Sequence, residues 1–377
     1  MGNERGDRRD FLKSSLATAG AVLAASAKPL RATTAQEPMK ARLRFAAIGL
    51  NHGHIYSMCE AVVRGGGELV SVFAKEPELV AAFAKRFPQA KVARSEREIL
   101  EDPSIPLVAS AGIPNERAPL GIDVMRHGKD YMVDKPGITT LEQLAEVRRV
   151  QAETRRIYSI TYSERFENRA TTRAGELVKA GAIGKVIQTI GLGPHRENPK
   201  SRPAWFYEKD RYGGIICDIA SHQFDQFLFF TGSTRAEVVA SQVANVNHPQ
   251  HPGLEDFGDA MVRGDGGSGY IRVDWFTPGG LKTWGDGRLT ILGTDGFIEI
   301  RKNVDIAGRP GGNHLFLVDH KETRHIDCES VPLLYGEQLV SDVLHRTETA
   351  MPQAHCFLAT ELMLQAQHQA QRIDSKV

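Results

Sequence analysis

A glycine that ends an apolar run can turn the chain tightly and aim backbone N–H groups at a pyrophosphate. Gly49-Leu50-Asn51-His52-Gly53-His54 has that form. The dinucleotide fingerprint G-x-G-x-x-G keeps its first glycine here, with Asn51 and His54 at the other two glycine positions. The acid expected after the next strand, which would contact a ribose, is replaced by Ala74, followed by Lys75 and Glu76. Lys75 can sit beside a 2′-phosphate or simply face water. A second group is Asp134-Lys135-Pro136, directly after a short apolar run. A lysine at a strand end can supply fixed positive charge or a proton beside a hydroxyl; the alternative is a turn with a solvated lysine. The third group is Gly213-Gly214-(x)3-Asp218-(x)3-His222. Its acid and imidazole lie at i, i+4 on one helix face, so His222 can take a hydroxyl proton while Asp218 orients the ring or binds substrate. A surface ion pair is the alternative. Softer candidates are Tyr162, Glu164 and Arg165 after a strand, and His195, Arg196, Arg202 and Trp205 in a later loop. Arg165, His195 and Trp205 are the candidate substrate contacts. His248, His251 and His314 have no spacing that suggests a metal site, so none is expected.

The elements that must hold these groups alternate from about residue 42 to 160. Apolar runs at 43–48, 68–73, 106–111 and 131–133 read as strands, with helical stretches to about 64 and at 78–86, 120–127 and 141–154. That alternation predicts a parallel sheet with right-handed crossovers. From 161 the pattern changes. Helices are expected at 173–180 and 215–230, strands at 186–191, 237–243, 259–262, 270–275, 289–292 and 297–300, and a closing helix at 357–373. The fold class is therefore α/β: a parallel-sheet Rossmann domain over 42–160, then an α+β domain over 161–377 with a mixed or antiparallel open sheet.

Residues 1–35 read as an export signal of the twin-arginine type. Arg8-Arg9-Asp10-Phe11-Leu12-Lys13 precedes the weakly apolar run 16–27, which ends in Ala25-Ser26-Ala27. The expected partner is the twin-arginine export machinery and the expected location periplasmic or otherwise exported; a disordered basic tail is the alternative. The 377 residues carry a formal charge of +1, which offers no basic excess for nucleic acid. Four scattered cysteines, Cys59, Cys217, Cys328 and Cys356, form no CxxC pair.

Taken together, the glycine turn at Gly49, Asp134-Lys135-Pro136 and Gly213-Gly214 with Asp218 and His222 resemble the Gfo/Idh/MocA family (glucose–fructose oxidoreductase and inositol dehydrogenase). The turns at 177–186 and 292–296 are similar to that family as well. The resemblance implies a tightly held NAD or NADP, with Gly49, Asn51, His52, Gly53, Lys75, Pro114, Asn115, Asp134 and Lys135 around it. It also implies that Lys135 contacts the nicotinamide ribose and a substrate hydroxyl, that Asp218 binds substrate and that His222 is the acid/base. The expected activity is hydride transfer between nicotinamide and a hydroxyl carbon of a sugar, polyol or sugar derivative, in a homo-oligomer built through the C-terminal sheet. A glycosidase or lyase using transient oxidation, or a silent sugar-binding protein, are the alternatives. Pro114-Asn115-Glu116-Arg117-Ala118 departs from the family in lacking the histidine that often follows Pro-Asn.

Overall fold

Strands β1 (Leu43–Ile48), β2 (Gly67–Phe73), β3 (Lys91–Val92), β4 (Leu107–Ser110), β5 (Asp130–Asp134) and β6 (Tyr158–Thr161) pair in the order β3-β2-β1-β4-β5-β6, all parallel. The structure, a computed structural model, describes residues 42–373. The predicted export segment 1–35 lies outside the described residues. β4, β5 and β6 are buried along their whole length, as a sheet covered by helices on both faces requires. The strand order reverses between β1 and β4, which opens a crevice at their carboxyl ends.

The second sheet has nine strands: β7 (Val186–Pro194), β8 (Ala236–Ala244), β9 (Phe257–Gly264), β10 (Ser268–Asp274), β11 (Arg288–Gly293), β12 (Gly296–Arg301), β13 (His314–Asp319), β14 (Thr323–Ile326) and β15 (Gln371–Arg372). The order is β14-β13-β12-β11-β7-β10-β9-β8-β15. β7 pairs parallel with β10 and β15 parallel with β8; the other pairs are antiparallel. Helix Ser221–Thr231 covers one face of β7 and helix Gln353–Gln369 lies against β8. The opposite face is open: Met261, Tyr270, Ile190 and Thr290 stand in one cross-strand row, and Met261 and Ile190 are exposed.

Three expectations are corrected. β13 and β14 extend the sheet beyond residue 300, where the reading stopped. The closing helix starts at Gln353, behind Pro352, and ends at Gln369, because Gln371 and Arg372 pair with β8. The helix over 215–230 is two pieces, a π-helical turn at Ile216–Ala220 and an α-helix at Ser221–Thr231. Gln367 of the closing helix accepts hydrogen bonds from the amides of Ile216 and Cys217. That approach needs Gly214 (φ +96), since a Cβ there would sit 2.3 Å from the Gln367 side chain. The four cysteines are buried and unpaired, and no described helix is long and apolar enough to cross a membrane.

Candidate active site

The turn after β1 meets the turn after β4. Gly49 has φ +78, and a Cβ there would lie 3.0 Å from the Gly112 Cα, so only glycine fits. Helix His54–Arg64 begins at Gly53, where an added Cβ would meet nothing within 4 Å, so the space over the helix start is open. Beside it lies a cleft of about 310 Å³ reached by Gly49, Asn51, Lys75, Glu76 and Asn115. Asn115 Oδ1 is buried there without a partner, and Asn51 Nδ2 donates to Glu76 Oε1 at 2.8 Å. An open helix start, a cradle closed to side chains and an orphan acceptor fit a dinucleotide. Four carboxylates line this cleft, Glu76, Glu96, Glu116 and Asp123, and Glu76, two positions beyond Ala74, is the one bonded to the first turn through Asn51. Lys75 is mostly exposed and lies 3.5 Å from Glu116.

At the end of β5 the side chain of Asp134 is wholly buried and faces the first turn. Arg117 Nη2 donates to it at 3.1 Å, His54 Nδ1 is hydrogen-bonded at 2.9 Å, and His52 Nδ1 lies 2.9 Å away without hydrogen-bond alignment. Burial opposes charge on Asp134, yet His54, Arg117 and His52 hold its carboxyl well below the usual range. His52 is pushed down to about 4, first by burial and then by His54. Arg117, 1% exposed, also donates to the carbonyls of Gly112, Asp134, Lys135 and Pro136, stapling the β4 turn to the β5 exit. Among the described residues, His52, His54 and Asp134 are the one trio whose ligand atoms lie within 4.8 Å of one another. The Arg117 guanidinium already occupies that carboxylate, which disfavours a cation.

A larger cleft, about 410 Å³, opens between the ends of the two sheets and contains Lys135, Asp218 and His222. Lys135 Nζ donates to Asp218 Oδ1 at 2.8 Å. Burial would raise the Asp218 carboxyl, and the Lys135 ammonium holds it down. His222 is 2% exposed and its Nδ1 has no partner. Burial above all, countered by Glu164 and reinforced by Lys135, pushes its pKa to about 3, so the ring is neutral at pH 7. Asp218 is engaged with Lys135 and makes no hydrogen bond to the His222 ring, so the expectation that it orients that ring is corrected. Beneath them Glu164 accepts from Lys302 Nζ, from Gln223 Nε2 at 2.9 Å and from Gln226 Nε2 at 3.3 Å, all on Oε2. Burial would raise this carboxyl too, and Lys302 holds it at about 2.

The structure divides the sequence candidates. His52, Pro114, His195 and Trp205 line the larger cleft with the central three, while Gly49, Asn51, Lys75 and Asn115 line the smaller one. Burial pushes His195 to about 4; its ring packs between Trp275 and Trp284. Arg165 lines neither cleft. It forms a two-pronged pair with Asp225 at 2.7 Å, which His355 also contacts, so its expected substrate contact is corrected to a structural one. Reading the sequence missed Arg117, Glu76 and Lys302. Arg117 stands in 114–118, a stretch noticed only for lacking the histidine that often follows Pro-Asn, and Lys302 had no signal beyond following a strand.

Residues 43–162 match the oxidoreductase family with NAD-binding Rossmann fold, and residues 171–299 match the GFO/IDH/MocA C-terminal domain. The chain is 28% identical over 204 residues to levoglucosan dehydrogenase of Pseudarthrobacter phenanthrenivorans, 52% of this chain and 51% of that one. It is 25% identical over 299 residues to scyllo-inositol 2-dehydrogenase (NAD(+)) of Bacillus subtilis, 76% of this chain and 83% of that one. The match thus spans about half the length of the first relative and most of the second. A crystal structure of an Erwinia carotovora atroseptica protein superposes with TM-score 0.86 at 50% identity, covering 88% of this chain and 100% of that chain. Levoglucosan dehydrogenase in complex with NADH and levoglucosan shares the fold, with TM-score 0.66 at 18% identity over 88% and 91% of the two chains.

Proposed function

The chain belongs to the Gfo/Idh/MocA oxidoreductase family, and from that premise we propose an exported NAD(P)-dependent dehydrogenase acting on a hydroxyl carbon of a sugar, polyol or sugar derivative. One observation carries this reading. A neutral buried imidazole and a lysine–aspartate pair meet in one cleft, next to a turn that fits a dinucleotide.

A nicotinamide nucleotide, when bound, supplies the hydride chemistry. Gly49, Asn51, Gly53 and Asn115 would hold its phosphates and adenosine side, and Lys135 its nicotinamide ribose. Lys135 also donates to the substrate oxygen through Nζ, which Asp218 holds in place at 2.8 Å. That ammonium lowers the proton affinity of the oxygen in a site with little water to screen it. His222, neutral and unpartnered at Nδ1, accepts the hydroxyl proton on its ring in oxidation and returns it in reduction. Tight retention of the nucleotide fits export, since a folded protein sent out of the cytoplasm has to carry its cofactor with it.

The test is to purify the protein, identify any nucleotide released on denaturation, and add sugars while following reduced-nicotinamide absorbance. A retained or bindable nucleotide reduced by a sugar is expected; no nucleotide binding overturns the reading. Export is supported by Arg8-Arg9 and the run that follows, and assembly by the open face around Met261 and Ile190. Replacing Arg8-Arg9 by lysines should strand the protein in the cytoplasm, and light scattering should show a multimer that Met261→Asp disrupts.

A further inference from the structure

The charges of the larger cleft do not balance. Three carboxylates line it, and each has its own cation: Asp218 pairs with Lys135, Glu164 with Lys302, and Glu167 with Arg64 at 2.7 Å. Arg117 is taken by Asp134 behind the wall. Two further guanidiniums, Arg196 and Arg202, line the same cleft, and among the described residues neither lies within 4 Å of a carboxylate. Glu197, between them in sequence, spends its carboxylate on His248 Nε2 at 2.8 Å and Tyr207 at 3.1 Å.

Both arginines are held in place without being neutralised. Arg202 donates through Nε and Nη2 to the carbonyls of Glu197 and Arg196, and its guanidinium lies over Phe206 (4.3 Å) and Trp275 (4.9 Å). Arg196 donates through Nη2 to the carbonyls of Pro278 and Leu281, and its Nε is buried without any partner. Its backbone is bridged to Phe276 and that of His195 to Gly285, which fixes the segment. Neither cation has a carboxylate in contact; burial works against the charge of Arg202, and Asp218 and Glu197, farther off, offset that only in part. A guanidinium fork with free N–H groups matches a carboxylate in shape and charge.

Resting on the dehydrogenase reading, we infer that the substrate is a sugar acid, whose carboxylate is bound by Arg196 and Arg202 while a ring or chain hydroxyl reaches Lys135 and His222. A neutral sugar would leave both arginines without a carboxylate in contact.

All three tryptophans of the chain, Trp205, Trp275 and Trp284, line this cleft, so intrinsic fluorescence reports binding without requiring turnover. The experiment titrates the purified nucleotide-loaded protein with matched pairs: D-glucuronate against D-glucose, D-galacturonate against D-galactose, and D-gluconate against D-glucitol. At least one acid should perturb the fluorescence at concentrations about 10- to 100-fold below its neutral partner, the range expected of a charge-assisted forked contact. Added salt should narrow the gap. Arg202→Gln and, separately, Arg196→Gln should abolish the preference while nucleotide binding stays; Arg202→Lys should restore part of it in a chain whose melting confirms folding. Equal or weaker binding of every acid, or a preference that survives both glutamine variants, overturns the inference. The reading of the enzyme class fails differently, by absence of nucleotide binding, and the same titration run on the unloaded protein then decides the present inference.

Discussion

The two walls of the larger cleft differ in how they treat charge. On the wall made by the first sheet, Asp134 is surrounded by Arg117, His52 and His54, so its polar groups answer one another. On the wall made by the loop after β7, Arg196 and Arg202 touch backbone carbonyls and, at Arg202, aromatic faces, with no carboxylate within 4 Å. A carboxylate neutralised within its own wall holds its surroundings in one arrangement, which suits a surface that presents one geometry to one common cofactor. An unsatisfied wall keeps its interaction energy for a ligand, which suits selection among substrates.

The comparison breaks first at Gly49. Replacing it with alanine puts a Cβ 3.0 Å from Gly112 at φ +78, a strain of about 1–3 kcal/mol that should weaken nucleotide binding about 10- to 100-fold. Sugar-induced fluorescence should change far less, and calorimetry with NAD and with sugar separates the two. Equal losses on both would mean that the walls are not independent.

Acid should sharpen the contrast in stability. The unfolded chain carries a proton on residue 222 below pH 6.5, whereas the folded chain takes it up only near pH 3. Stability therefore falls with pH across that window, by about 1.4 kcal/mol per pH unit for this one histidine. His195 and His52 act in the same sense, and the depressed carboxyls Asp134, Asp218 and Glu164 lose their contribution as pH drops through their folded values. In denaturant melts between pH 4 and pH 7, His222→Asn should give a shallower slope than the native protein. An unchanged slope would place the ring in water.

The smallest effect is expected at Glu76. Its carboxylate faces the smaller cleft, where it would repel a 2′-phosphate and accept from a ribose hydroxyl. Glu76→Gln should shift the ratio of NAD to NADP affinity toward NADP by about tenfold, the size of one charge-assisted contact. An unchanged ratio would assign the choice of nucleotide elsewhere.

Four strands of the first sheet were legible because a buried parallel strand writes itself as a short apolar run, as at 106–111 and 131–133. The glycine turn, Lys135, Asp218 and His222 were legible because each stands at a strand end or just behind a glycine pair. Lys302 and Arg117 were not, since their meaning lies in partners that the fold brings together from 138 residues away in one case and 17 in the other. Arg165 shows the converse: a polar residue behind a strand turned out to be fixed by Asp225. Glu76 escaped because a rule tied to residue 74 takes no account of the side chain two positions on, which bonds Asn51 in the smaller cleft.

The most direct measurement is single-turnover reduction of the retained nucleotide by a sugar or sugar acid, native protein against His222→Asn. The variant should keep its nucleotide and its fluorescence response yet react about 10²- to 10⁴-fold more slowly, as loss of a general base predicts. Equal rates in the two proteins would contradict the assignment of proton transfer to this imidazole.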